Sequence, residues 1–334
     1  MDVKTKRTAK DYATDQEVRW CPGCGDYAIL KGVQKTLAEL AVDPDQTVFI
    51  SGIGCAARFP YYLETYGFHT IHGRAAAIAT GVKLAQPNLD VWIASGDGDS
   101  LSIGGNHFIH LLRRNVDCQY LLFNNEIYGL TKGQYSPTSR QGTRSPSSPQ
   151  GSVETPIHAA SIALGAGARF YARATDVGQA HLIETLKAAH GFHGTSVVEI
   201  LQNCIVYNDA VHSAFTDKKQ LASNCAFLEH GKPVIFGEDD EQGLRFNPNT
   251  FSLEVVTVDE VDSGTILVHD ETNLTLAQLL AGMDGRALPL ALGVIYRQPA
   301  DTFEDRVEGR VQKRAPAVDD VQRLINAGNT WQVA

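Results

Sequence analysis

No run of eighteen apolar residues occurs in this 334-residue sequence, so no segment is predicted to cross a membrane as a helix. The opening stretch, MDVKTKRTAKDYATDQ, lacks the apolar core of a secretory signal, and a mobile arm over residues 1–16 is predicted instead. No dense block of Lys or Arg offsets the net charge of −9, which argues against nucleic-acid binding. Cysteine is sparse. Six in a chain of this length do not form the dense framework of a small secreted domain. They are read as reduced thiols, some of them metal ligands, and a cytoplasmic address is predicted. Internal repeats are also missing.

Apolar runs do occur, in a regular arrangement. TVFISGIG (47–54), LDVWIASGDG (89–98), DCQYLLFNNE (117–126) and TSVVEILQNC (195–204) read as buried strands. Helix-like stretches lie between them, such as GRAAAIATGVKLAQ, GNHFIHLLRRN and VGQAHLIETLKAAHG. This alternation predicts an α/β fold: an open, mostly parallel sheet with helices on both faces. Ligands in such sheets bind beyond the carboxyl ends of the strands. Cys55, Asp97, Asn124, Asn125 and Cys204 all fall at those ends. Residues 133–156, rich in Ser, Pro, Gly and Thr, read equally as a solvated linker or as a loop covering the site. After Cys225 the sequence turns acidic with short apolar runs. Residues 226–334 are therefore predicted to be a C-terminal extension packing on the core or on a partner subunit, ending in a charged surface helix.

Gly96-Asp97-Gly98 is followed by residues 99–123 and then by Asn124-Asn125. A lone Gly-Asp-Gly reads as a tight turn, and a lone Asn as a cap. Both at strand ends, joined by a helix and a strand, suit a diphosphate held through a divalent ion. Glycine lets backbone approach phosphate, a helix N-terminus supplies amides, and Asp97 and Asn125 offer the hard oxygens that Mg²⁺ prefers. A dinucleotide site is the weaker competitor, because no G-x-G-x-x-G follows the first strand. The pattern resembles the thiamine diphosphate-binding motif. That resemblance implies Asp97, Asn125 and the Ile127 carbonyl as Mg²⁺ ligands, with Gly98 and Asp99 near the diphosphate.

Cys21 and Cys24 form a C-x-x-C pair in a Pro-Gly turn, and no second local pair exists to complete a zinc site. The polar residues before the pair do not form the strand that a thioredoxin-like dithiol follows. Two ligands here and one each from distant loops suit a [4Fe–4S] cluster. On spacing alone, zinc and plain free thiols remain open.

RWCPGCG, SGIGC, IHGRA, GDGDSLSIGGNHFIHLLRRN, FNNEIYGLTKGQYSPT and LQNC, in order over roughly residues 17–210, are together similar to the β subunit of 2-oxoacid:ferredoxin oxidoreductases. The resemblance implies that residues 17–225 form a thiamine diphosphate- and [4Fe–4S]-binding domain, with Cys21, Cys24, Cys55 and Cys204 as cluster ligands. Cys118 and Cys225 are left as buried thiols. It also implies cofactor contacts at Ile53, Gly54, Cys55, Ala56, His72, Gly73, Gly98, Asp99, Gly129 and Leu130. Arg58 and Lys132 are placed near the substrate carboxylate, where related chains often carry Gly in place of the lysine. A second cation suits the distal carboxylate of 2-oxoglutarate, whereas pyruvate needs none.

The implied reaction interconverts 2-oxoglutarate, coenzyme A and oxidised ferredoxin with succinyl-CoA, CO₂ and reduced ferredoxin. Pyruvate or a broad range of 2-oxoacids are alternative substrates, and a non-oxidative thiamine diphosphate decarboxylase or synthase is a rival class. Thiamine activation needs a carboxylate on a second domain that this chain lacks. The resemblance assigns that glutamate to an α subunit in an α2β2 heterotetramer, so the β chain alone is predicted to be inactive.

Overall fold

Strand side chains alternate between two cores. Val48 and Ile50, Val91 and Ile93, and Tyr120 and Leu122 face one; Phe49, Trp92 and Ala94, and Leu121 and Phe123 face the other. This period of two, with both faces apolar, belongs to a parallel sheet covered on both sides. The computed structural model describes residues 7–217, 219–285, 287–309 and 317–331.

The elements that frame the site run in chain order as α1 (Asp26–Leu40), β1 (Thr47–Ser51), β2 (Tyr66–His69), α2 (Ala75–Ala85), β3 (Asp90–Gly96), α3 (Gly105–Arg114), β4 (Cys118–Asn124), α4 (Ala159–Gly165), β5 (Phe170–Thr175), α5 (Gln179–His190), β6 (Thr195–Leu201), β7 (Cys225–Phe227), α6 (Leu274–Ala281) and β8 (Leu290–Arg297). The eight strands form one sheet in the order β2-β1-β3-β4-β6-β5-β8-β7. Every neighbouring pair is parallel except β5–β8, which is antiparallel. Ile29, Leu30, Val33 and Leu37 of α1 recur at helical spacing and pack with Leu182 and Leu186 of α5 on one face. Ala75, Ala76 and Ala79 of α2 join Phe108, Leu111 and Leu112 of α3 on the other. Each such buried Leu or Ile contributes roughly 1.5–3 kcal/mol.

Three differences from the sequence-based expectations have physical causes. The N-terminal arm packs on the domain at Tyr12. Tyr12 is fully buried, and its hydroxyl donates to the Val42 carbonyl at 2.6 Å. Residues 1–6 lie outside the described residues. The chain beyond 225 is not merely laid against the domain, because β7 and β8 are strands of the main sheet. Part of it, Ile235–Phe236, Gln242–Asn247 and Ser252–Thr257, forms a separate antiparallel sheet. Finally, the expected strand at 47–54 ends at Ser51. A Cβ on Gly52 would meet Asp99 Oδ2 at 1.8 Å, so the chain leaves the sheet there to pass over that carboxylate. The stretch 304–328, expected as one charged surface helix, forms two helices, Phe303–Glu308 with Glu304 buried and Val318–Ile325, and residues 310–316 lie outside the described residues.

Candidate active site

The carboxyl ends of β1, β3 and β4 open onto one pocket of about 50 Å³. Of the expected cofactor contacts, Ile53, Gly54, Cys55, Ala56, His72, Gly98, Asp99, Gly129 and Leu130 line it, together with Asp97, Asn125 and Ile127. Gly73 is not in the wall, but its backbone N–H donates to Asp99 Oδ1 at 2.8 Å. Asp99 is a hub that shapes the pocket rim. It also accepts from Ile53 N at 3.2 Å and from the Ser95 hydroxyl at 2.8 Å, and His72 Nδ1 stands 2.6 Å from it. Its carboxylate is thus largely committed to holding the loops at 52–54 and 71–73.

Asp97 is differently placed. It begins a one-turn helix after β3, is buried, and accepts from the Ser136 and Thr138 hydroxyls at 2.6 and 2.5 Å. Burial pushes its pKa up to about 6 despite those hydroxyls and nearby backbone amides. A buried carboxyl whose ionised form is left wanting a counter-charge suits a divalent cation. Asn125 Oδ1 accepts from Ile127 N at 3.2 Å, a tight turn, and both residues line the pocket. Close backbone approach is built in at Gly98, where a Cβ would meet Tyr128 Cε1 at 2.2 Å. Donor set and cradle therefore fit Mg²⁺ and a diphosphate.

Cys21, Cys24, Cys55 and Cys204 line a second cavity, of about 200 Å³, with Trp20, Arg58, Gly129, Leu130 and Lys132. A Cβ on Gly129 would lie 3.4 Å from Cys204 Sγ and 3.6 Å from Cys55 Sγ, so Gly129 stands in contact range of both thiols. All six cysteines are free, and Cys118 and Cys225 are buried elsewhere in the sheet. Burial raises the thiol pKa of Cys24, Cys204 and Cys55, the last to about 12, and the neighbouring Asp26 carboxylate adds to this. Among the described residues, no group of three or more His, Cys, Asp or Glu is placed to hold a single metal ion. A tetrahedral zinc site needs all its sulfurs about 2.3 Å from one point, whereas a four-iron cluster spreads its thiolates around a volume. Four thiols on one cavity supply the number of ligands that a four-iron cluster needs.

Arg58 and Lys132 stand on the cysteine cavity, not in the wall of the first pocket. Lys132 has φ of 77°, a conformation that favours glycine, so the lysine is held there against a local backbone preference. Within residues 133–156, the segment around Ser136 and Thr138 packs against the site. Ser136, Thr138, Ser139, Ser145 and Ser152 are buried in this stretch, and two of these hydroxyls reach Asp97.

Sequence reasoning missed Ser136, Thr138, Asp26 and Gln202. Asp26 lines the first pocket, and burial pushes its carboxyl up to about 7. Behind Asn124 it also missed a buried polar chain. Asn124 Nδ2 donates to Glu199 Oε1 at 2.8 Å, while Tyr171 and Arg173 donate to Glu199 Oε2 at 2.8 and 2.7 Å. Arg173 lies inside β5, a segment that its charge makes unlike a buried strand.

Sheet topology, strand-end pocket and donor set together define the diphosphate-binding domain of a thiamine diphosphate enzyme. Residues 52–200 match the family model described as the thiamine pyrophosphate enzyme C-terminal TPP-binding domain. The chain is 46% identical over 331 residues, 97% of its length and 88% of the relative's, to the 2-oxoglutarate oxidoreductase subunit KorB of Mycobacterium tuberculosis. It is 47% identical over 63% of its length to subunit beta of 2-oxoacid:ferredoxin oxidoreductase 1 of Aeropyrum pernix, covering 66% of that protein. Among solved structures, it is similar to a 2-oxoglutarate:ferredoxin oxidoreductase from Magnetococcus marinus with 2-oxoglutarate, coenzyme A and succinyl-CoA bound. The TM-score is 0.78 at 31% identity, with 98% of each chain covered. The chain belongs to the β-subunit family of 2-oxoacid:ferredoxin oxidoreductases.

Proposed function

We propose that this chain is the β subunit of a cytoplasmic 2-oxoglutarate:ferredoxin oxidoreductase, which interconverts 2-oxoglutarate, coenzyme A and oxidised ferredoxin with succinyl-CoA, CO₂ and reduced ferredoxin. One observation carries this reading: the strand-end pocket and the four-cysteine cavity share Cys55, Gly129 and Leu130 as a common wall. A site for carbon chemistry and a site for one-electron acceptance are thereby adjacent, as an oxidative decarboxylase requires and a non-oxidative one does not.

Thiamine diphosphate, when bound, supplies the carbanion that attacks a 2-oxoacid and the electron-rich centre left after CO₂ departs. Asp97, Asn125 and the Ile127 carbonyl would hold its Mg²⁺, and Gly98 would admit the diphosphate to the backbone. Cys21, Cys24, Cys55 and Cys204 would hold one [4Fe–4S] cluster. Arg58 and Lys132 present positive charge beside the shared wall, where a dicarboxylate's distal group can be paired. The names of the Mycobacterium tuberculosis and Magnetococcus marinus relatives support 2-oxoglutarate in particular. The glutamate that activates the thiamine ring would come from an α subunit in an α2β2 assembly. Ferredoxin would leave with the electrons.

The test is made on the anaerobically purified α/β complex. Iron near four atoms per β chain is expected, with viologen reduction that requires coenzyme A and is faster with 2-oxoglutarate than with pyruvate. Changing Lys132→Gly should remove that preference. Zinc in place of iron would sink the cluster assignment, and equal rates on the two acids would defeat the dicarboxylate assignment.

A further inference from the structure

Gln202, the residue after β6, is 1% exposed and stands between the two sites. Its Nε2 donates to the Asn203 carbonyl at 2.7 Å and to Cys24 Sγ at 3.3 Å. Its Oε1 accepts from Asn125 Nδ2 at 2.7 Å. The amide's orientation is not arbitrary. A backbone carbonyl only accepts, so the end facing Asn203 is the nitrogen, and the oxygen must face Asn125. Holding Asn125 Nδ2 in turn leaves its Oδ1 on the side of the Ile127 turn, from whose N–H it accepts at 3.2 Å. The backbone of Gln202 is fixed too, since its N–H donates to the Asn124 carbonyl at 2.9 Å.

We propose that Gln202 is a positioning residue shared by both inorganic sites: one end of its amide turns Asn125 so that Oδ1 faces the divalent ion, and the other donates a hydrogen bond to the sulfur of a cluster ligand. This rests on the assignment of Asn125 to Mg²⁺ and Cys24 to the cluster made above. A hydrogen bond to a ligating sulfur stabilises the more negative, reduced cluster and so raises its potential. Partners that orient a metal ligand typically change metal affinity by about 10- to 100-fold. Because one planar amide serves both, the two properties are tied to one side chain. Ser136 and Thr138, by contrast, act on Asp97 alone.

The test compares the wild-type α/β complex with Gln202→Leu and Gln202→Glu. Thiamine diphosphate binding is followed calorimetrically while Mg²⁺ is titrated, and cluster reduction is followed by electron paramagnetic resonance in dye-equilibrated samples. Gln202→Leu removes both hydrogen bonds. It should weaken the apparent Mg²⁺ affinity about 10-fold and shift the reduction equilibrium about tenfold toward the oxidised cluster, about 59 mV for one electron. Gln202→Glu keeps an acceptor for Asn125 but replaces the donor to Cys24, so it should shift the reduction equilibrium while Mg²⁺ affinity stays near wild type. Iron content should not move in either variant, which a general loss of structure would not allow. A Leu variant that shifts only one property or neither, or a Glu variant indistinguishable from it, overturns the proposal. Wild-type protein without iron, or without Mg²⁺-dependent thiamine diphosphate binding, would instead strike the underlying assignment and the bridge with it. That failure is seen before any variant is measured.

Discussion

At the scale of single residues, the site depends on what is small and on what is hydroxylated. Gly98→Ala places a methyl where the Tyr128 ring stands, at 2.2 Å from Cε1, and the Tyr128 hydroxyl that donates to the Gly98 carbonyl must move with it. Overpacking of this kind costs about 1–3 kcal/mol. Thiamine diphosphate affinity should fall about tenfold or more, which calorimetry on the complex would measure. Thr138→Val keeps the shape but removes a hydroxyl from Asp97 and should raise the Mg²⁺ concentration needed for cofactor binding, with Thr138→Ser restoring it. That Asp97 and Asn125 meet at one pocket was legible in the sequence because both fall at strand ends a fixed separation apart. Ser136 and Thr138 were not, since hydroxyls in a Ser/Pro-rich stretch look the same whether they face water or a buried carboxylate.

Among the elements, the central strands carry charges that the core must satisfy. Glu199 of β6 is buried, which by itself raises its pKa. Arg173 of β5, with Asn124 and Tyr171, more than offsets that, and the net shift is downward. Removing one partner of such a pair strands the other, so Arg173→Met should destabilise the protein by about 3–5 kcal/mol, read as a lowered denaturation midpoint. The same pairing explains why β5 was illegible: FYARAT reads as a half-polar segment until Glu199 is known to lie opposite. The strands β1, β3 and β4 were legible because their largely apolar runs end in glycine or polar residues, and β6 was legible despite Glu199 because its run follows a clear helical pattern.

Helix α5 adds a pH-dependent contact. His190 Nε2 lies 3.1 Å from Asp90 Oδ2 at the start of β3, stacks on Trp92, and also feels Asp117. The hydrogen bond to Asp90 raises the His190 pKa, with burial opposing. A raised folded-state pKa contributes stability that is complete below the unfolded value, about 6.5, and is lost as pH rises through the folded value. The wild-type melting temperature should therefore decline over that window, and His190→Gln should flatten that part of the profile.

For the whole molecule, the proposed function gives this chain both candidate cofactor sites and assigns the other face of the thiamine site to an α subunit. Purified alone, the chain should take up iron yet reduce no viologen with 2-oxoglutarate and coenzyme A until the α subunit is added. Activity in the isolated chain would contradict the partner's role. A chain ended at residue 225 should show no cooperative unfolding, because β8, inserted between β5 and β7, would be missing. Strand insertion also has a consequence for synthesis. The ribosome delivers β5 early, but its antiparallel partner follows only after residues 176–289 have been added. In that interval β5 presents an open edge, the kind that templates pairing between chains. Arg173 also lacks the Ala291 carbonyl that helps hold it in the finished fold. A nascent chain paused before Leu290 is thus the form of this protein most exposed to aggregation and most in need of a chaperone.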